Sequence, residues 1–110
     1  MNEAKRKRLE QAGWAVGDAA QFLELNEHEA RFVEMKLALA AGVRQKRERI
    51  GLTQTSLAER LGSSQSRVAK IEAGDRSVSI DLLVRSLLTI GANPAEIAQY
   101  IKRAGATRAA

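Results

Sequence analysis

Residues 53–74 read TQTSLAERLGSSQSRVAKIEAG, and this stretch sets how the rest of the 110-residue chain is interpreted. Leu57, Ala58 and Leu61 fall at i, i+1 and i+4, on one face of a short helix. Val68 and Ile71 give the i, i+3 stripe of a second helix, which stops at Gly74. Thr53 and Ser64 occupy the two N-cap positions, where a side-chain oxygen accepts from an otherwise unbonded amide of the first turn. Gly62 and Ser63 lie between the helices. A glycine there takes positive φ without a Cβ clash, so the chain turns within about three residues. Helices joined so tightly cross steeply. The small side chain of Ala58 suits that crossing.

The pattern predicts a helix-turn-helix, and the outer face of its second helix is polar and cationic. Ser64, Gln65, Ser66, Arg67 and Lys70 lie opposite Val68 and Ile71. Amide, hydroxyl and guanidinium groups are those that bond base edges and phosphates. Taken singly, each of these residues is as well explained by a solvated surface. The spacing of the whole stretch carries more weight. It resembles the helix-turn-helix of the lambda-repressor and Cro family, the XRE family, at Leu52-Thr53-Gln54, Leu57-Ala58, Gly62, Ser64-Gln65-Ser66 and Ile71-Glu72-Ala73-Gly74, over roughly 38–91.

Composition fits a small helical domain. Hydrophobic residues make up 45% of the chain and aromatic ones only 4%, so the core must be built of Leu, Ile, Val and Ala. Val, Ile and Thr never alternate as in strands, which predicts an all-α chain. No run of about 18 apolar residues is present to span a membrane. The basic N-terminus lacks the apolar run of a secretory signal. The absence of cysteine excludes a disulfide framework and thiolate chemistry. Net charge is +5, and its distribution is uneven. Residues 44–76 hold eight basic side chains against four acidic ones, whereas 18–34 hold five acids and only Arg31. Basic charge near the helix-turn-helix favours an anionic partner.

Along the chain, Lys5 to Arg8 form a basic run that is either a DNA-contacting arm or a solvated start. Trp14 and Val16 read as anchors to the body, and Asp18 and Asn26 open two capping boxes. A long helix follows. Val33, Leu37, Ala40, Val43 and Ile50 give its buried side, flanked by Phe32, Met35 and Leu39. Gly42 weakens it and allows a bend, and Gly51 ends it. Ser79 caps a helix with Leu82, Leu83, Val84, Leu87 and Leu88 inward, closed by Gly91. Asn93-Pro94-Ala95-Glu96 starts the last helix, which carries Ile97, Tyr100 and Ile101. His28 is the single histidine and has no cysteine beside it, so neither a zinc site nor a Ser-His-Asp triad is expected. No phosphate-binding glycine loop occurs, and neither an enzyme nor a cofactor is expected.

The resemblance implies a lambda-repressor-like five-helix DNA-binding domain with an N-terminal helical extension. The expected division is an extension at 1–37, a domain at 38–104 with the helix-turn-helix at 53–74, and a flexible tail at 105–110. It implies base readout by Ser64, Gln65, Ser66 and Lys70, with helix 64–73 in the major groove. Phosphate contacts map onto Arg44, Thr53, Gln54, Arg67, Arg76 and Ser77, with Gln54 also bracing the recognition helix. Arg47 and Glu72 match the family's structural ion pair, and no metal site is implied. Ser56 departs from the glutamate found at its position in many members, and Val78 from a common proline. Neither touches the readout positions.

The preceding segment KRKRLEQAGWAVGDAAQFLEL resembles an extension on XRE regulators that serve as HigA-type antitoxins. Three functions follow: a repressor; an antitoxin that binds a toxin protein and autoregulates its operon; and a helical module that no longer binds DNA. The expected partners are double-stranded DNA with a pseudo-palindromic operator and a second copy of the chain, with no membrane; the expected place is the cytoplasm, at the nucleoid when DNA-bound. One recognition helix covers too few base pairs to single out a genomic site, which favours a dimer. The Ile97, Tyr100 and Ile101 stripe is the preferred dimer surface, unless it closes the core; Phe32, Met35 and Leu39 are the alternative.

Overall fold

A computed structural model of the protein describes Lys7 and residues 27–105. The expectations for Lys5, Arg6, Arg8, Trp14, Val16, the capping boxes opened by Asp18 and Asn26, and the tail beyond Gly105 lie outside the described residues. Within 27–105 the chain is all-helical: α1 (Glu27–Arg49), α2 (Gln54–Leu61), α3 (Gln65–Ala73), α4 (Ile80–Thr89) and α5 (Pro94–Lys102). α1 is the spine, with α3, α4 and α5 packed against it and α2 resting on α3 and α4. It runs unbroken through residues 37 and 38, both of them buried.

The caps explain where the short helices start. Thr53, Ser64, Ser79 and Asn93 all have extended backbones, and each side-chain oxygen accepts the amide of the residue three positions on. Each such cap contributes about 1 kcal/mol. α2 ends at Gly62, whose φ is 65°, and the Ser63 amide then donates back to the Ala58 carbonyl at 2.8 Å. α1 ends in the same manner, with the Leu52 amide donating to the Arg47 carbonyl across Gly51.

Leu39, Val43, Leu57, Val68, Ile71, Val78, Leu83 and Leu87 form the centre of the core, with Ala58 at the α2–α3 crossing. Several expected faces are corrected. Leu39, read as flanking, is wholly buried, while Ile50 is exposed because it lies past the last turn of α1. Leu88 is 50% exposed, and Ser86 takes an inward place instead. Ser86 is satisfied there because its hydroxyl donates to the Leu82 carbonyl at 2.8 Å.

Gly42 does not break α1, which continues to Arg49. A Cβ built there would lie 2.7 Å from Cγ and 2.8 Å from Cδ2 of the Tyr100 ring, so the missing side chain is the space that ring fills. Ile97 and Tyr100 are buried with the core, and Ile101 packs against it. The preferred dimer stripe is thus already used in closing the monomer. The alternative stripe is also interrupted, since Leu39 is buried while Phe32 is exposed.

Glu96 completes the α1–α5 seam. Its carboxylate accepts from Lys46 Nζ at 3.1 Å, Arg49 Nη2 at 2.7 Å and the Tyr100 hydroxyl at 2.8 Å. Arg103 stacks 5.4 Å from the Tyr100 ring centroid and donates to Gln45 Oε1 at 2.7 Å. The Tyr100 hydrogen bond, with Lys46 and Arg49, holds the Glu96 carboxyl below its ordinary range against the opposing effect of burial. Burial, then the Glu96 hydrogen bond, pushes the Tyr100 phenol up.

Two outcomes follow for stability. Gly42→Ala would ordinarily gain about 1 kcal/mol in a helix interior. Here it should lose about 1–3 kcal/mol through overpacking against Tyr100. Thermal denaturation should show the loss reversed to a gain when Gly42→Ala is made in a Tyr100→Leu background.

The second concerns pH. A depressed folded-state carboxyl stabilises above its unfolded value of about 4.3, and that stability is lost as pH falls through the lower folded value. Glu96→Gln should therefore flatten, but not abolish, the acid limb of a urea-midpoint profile, because Asp75 is also depressed, chiefly by its bonds from Ser77. The Tyr100 contribution has the opposite sign and fades as pH rises through its raised value.

Candidate nucleic-acid interface

The second helix of the turn, α3, buries Val68 and Ile71 against α1 and α2, and this fixes which side faces out. Ser64, Gln65, Ser66 and Lys70 are exposed on that outer side, with Arg67 half-buried at its edge. Ser64 Oγ accepts the Arg67 amide at 3.2 Å and lies 3.2 Å from Ser66 Oγ, so part of its bonding capacity serves the cap. Thr53 is engaged more fully. Its hydroxyl accepts the Ser56 amide and donates to Ser56 Oγ, each at 3.0 Å. Ser56, the departure from the usual glutamate, takes the Thr53 hydroxyl proton.

A chain of polar bonds runs from the base of this helix to its tip. Arg47 Nε and Nη2 both donate to the Glu72 carboxylate, the latter at 3.0 Å, and Arg47 Nη1 donates to the Leu52 carbonyl at 2.9 Å. Gln54 Nε2 donates to Glu72 Oε1 at 3.1 Å, and Gln65 Nε2 donates to Gln54 Oε1 at 2.7 Å. The Glu72 side chain is 4% exposed and that of Arg47 11%, so the bidentate pair sits largely out of water. The Glu72 bond raises the Arg47 pKa against the lowering effect of burial. Gln65, on the exposed tip, is thereby coupled through three hydrogen-bonded contacts to α1.

A cleft of about 430 Å³ opens between α1, the start of α2 and the inner side of α3, bordered by Arg44, Gln54 and Glu72. Arg44 is exposed, and its Nε donates to Glu48 at 3.0 Å. Two phosphate candidates from different helices, Arg44 and Gln54, therefore share one opening. Arg76 and Ser77 lie at the other end of α3, roughly 13 Å along a nine-residue helix. Their loop is ordered from within: Asp75 Oδ1 accepts the Ser77 amide at 2.9 Å and the Ser77 hydroxyl at 2.7 Å. Val78 fills the core beneath it where a proline is common. Lys36 Nζ donates to the Arg76 carbonyl at 3.3 Å, a contact the sequence reading missed. The available signal was its spacing, three residues after Val33 and four before Ala40, which places a lysine on the apolar stripe of α1.

Among the described residues, no group of His, Asp and Glu is arranged to hold a metal ion, and no helix is long and apolar enough to cross a membrane. The fold and the exposed polar helix define a DNA-binding transcription regulator. The helix-turn-helix family model HTH_3 matches residues 43–97, from the last third of α1 into α5, and the chain belongs to that family, the XRE-type helix-turn-helix regulators. Comparison with curated proteins and with solved structures returned no match.

Glu72→Ala would leave Arg47 buried without its carboxylate, which costs about 3–5 kcal/mol for a buried pair. The melting temperature should fall accordingly, with or without DNA. Unchanged melting would show that the pair does not hold the domain together.

Proposed function

We propose that the protein is a repressor that binds a pseudo-palindromic operator as a two-fold dimer, each copy inserting helix 64–73 in the major groove. The observation that carries this reading is the Gln65–Gln54 hydrogen bond on the exposed tip of α3. It commits one Gln65 amide hydrogen and leaves the other, with the carbonyl oxygen, to face a base edge. That pair matches the acceptor and donor an adenine presents in the major groove. Ser64, Ser66 and Lys70 read alongside it. Arg44, Gln54, Arg67 and Arg76 contact phosphates and set the register without reading sequence, and Thr53 and Ser77 join them only by releasing the hydroxyl bonds they give to Ser56 and Asp75.

A dimer would place two such helices about 34 Å apart, one turn of the duplex. Its surface lies outside the Ile97–Tyr100 stripe, which closes the core. Repression follows if the operator overlaps a promoter. The residues that resemble a HigA-type antitoxin, 5–25, lie outside the described residues except for Lys7, so no observation favours toxin binding over repression.

Binding of the full chain to a selected operator and to an unrelated duplex tests the assignment. Gln65→Ala should lose about 1–3 kcal/mol on the operator and relax one base position. Arg44→Ala should weaken both duplexes alike and lower the salt slope by about one unit. Sedimentation on operator DNA should give two protomers per duplex. Equal, sequence-blind losses from both variants would contradict the division between reading and positioning, and one protomer per duplex would contradict the dimer.

A further inference from the structure

Lys36 precedes the family-matched segment, 43–97, yet reaches the loop that follows the recognition helix. It is 5% exposed, on the same face of α1 as Val33, Leu37 and Ala40. Burial lowers its pKa, an effect partly offset by the nearby Asp75 carboxylate and reinforced by Arg76. An amine on an apolar face is costly unless it is bonded, and an aliphatic side chain would pack there without that cost.

Its ammonium group donates to the Arg76 carbonyl, in the middle of a loop already fixed at both ends. At the near end the Asp75 amide donates to the Lys70 carbonyl at 3.1 Å, tying the loop to the last turn of α3. At the far end Val78 is 1% exposed in the core, and its amide donates to the Asp75 carbonyl at 2.9 Å. The Asp75 side chain orients Ser77. The peptide after Arg76 is held from beneath by Lys36.

We propose that Lys36 is a positioning residue for DNA binding: its ammonium group holds the Arg76 carbonyl and so sets the direction in which Arg76 meets the phosphate backbone. This rests on the reading of that loop as a phosphate contact. It gives the N-terminal half of α1, outside the matched segment, a part in the interface.

The test uses the full chain with its operator and an unrelated duplex over a salt series. Lys36→Met should remain folded by melting and weaken both duplexes several-fold. Its salt slope should fall by about one unit, the loss of one backbone contact, with base preference unchanged. Adding Arg76→Ala to Lys36→Met should change little more, because the contact is already lost. Lys36→Arg, which keeps a cationic donor, should retain most of the affinity. Lys36→Gln, one atom shorter than the lysine, carries the same comparison if Lys36→Met does not fold. Wild-type binding by the Lys36 variant, or losses from Lys36 and Arg76 that simply add, would overturn the proposal. Loss of affinity from Lys36→Met with none from Arg76→Ala would instead sink the phosphate reading of the loop.

Discussion

The bidentate pair between Arg47 and Glu72 joins the spine of the domain to the helix it presents. Arg47 sits near the end of α1 and also holds the Leu52 carbonyl, so the same guanidinium fixes the approach to α2. Glu72 is the penultimate residue of α3 and accepts from Gln54 as well. Breaking such a pair exposes more than its net worth, because the remaining charge stays buried without a partner. Its value here is geometric. Through Gln54 it fixes the amide of Gln65, and a side chain ordered before binding loses less rotamer freedom when it meets its target.

The rest of the domain keeps α1 seated. Tyr100 occupies the gap above Gly42, and Glu96 gathers Lys46, Arg49 and the Tyr100 hydroxyl across the α1–α5 seam. A side chain at residue 42 and a ring at residue 100 compete for one volume, which makes the two positions a single packing decision. The tight seam also explains why Ile97 and Tyr100 of α5 face inward.

What was legible in the sequence was what neighbours along the chain determine. Thr53, Ser64, Ser79 and Asn93 announce helix starts because a cap needs only its own first turn. Gly62 announces the turn because positive φ is a local property. The family resemblance placed the helix-turn-helix and the residues of its outer face. What was not legible depends on distant contacts. The apolar stripe of α1 is wide enough that Leu39 could be read as flanking, and only the packing of the other helices on α1 settles it. Ile50 and Leu88 look buried by spacing but lie at helix ends and are exposed. Gly42 read as a weakness because the ring that fills its gap is 58 residues further on. Glu96 read as a capping residue, while its carboxylate is used in the α1–α5 seam.

The central claim is that a pre-ordered α3 reads a two-fold operator. Selection of bound sequences from a random duplex pool by the full chain, followed by footprinting, tests it most directly. The account predicts an enriched pseudo-palindrome with half-site centres about 34 Å apart and protection of both halves. A pool that emerges with no preferred sequence, or a single protected half-site, would contradict it.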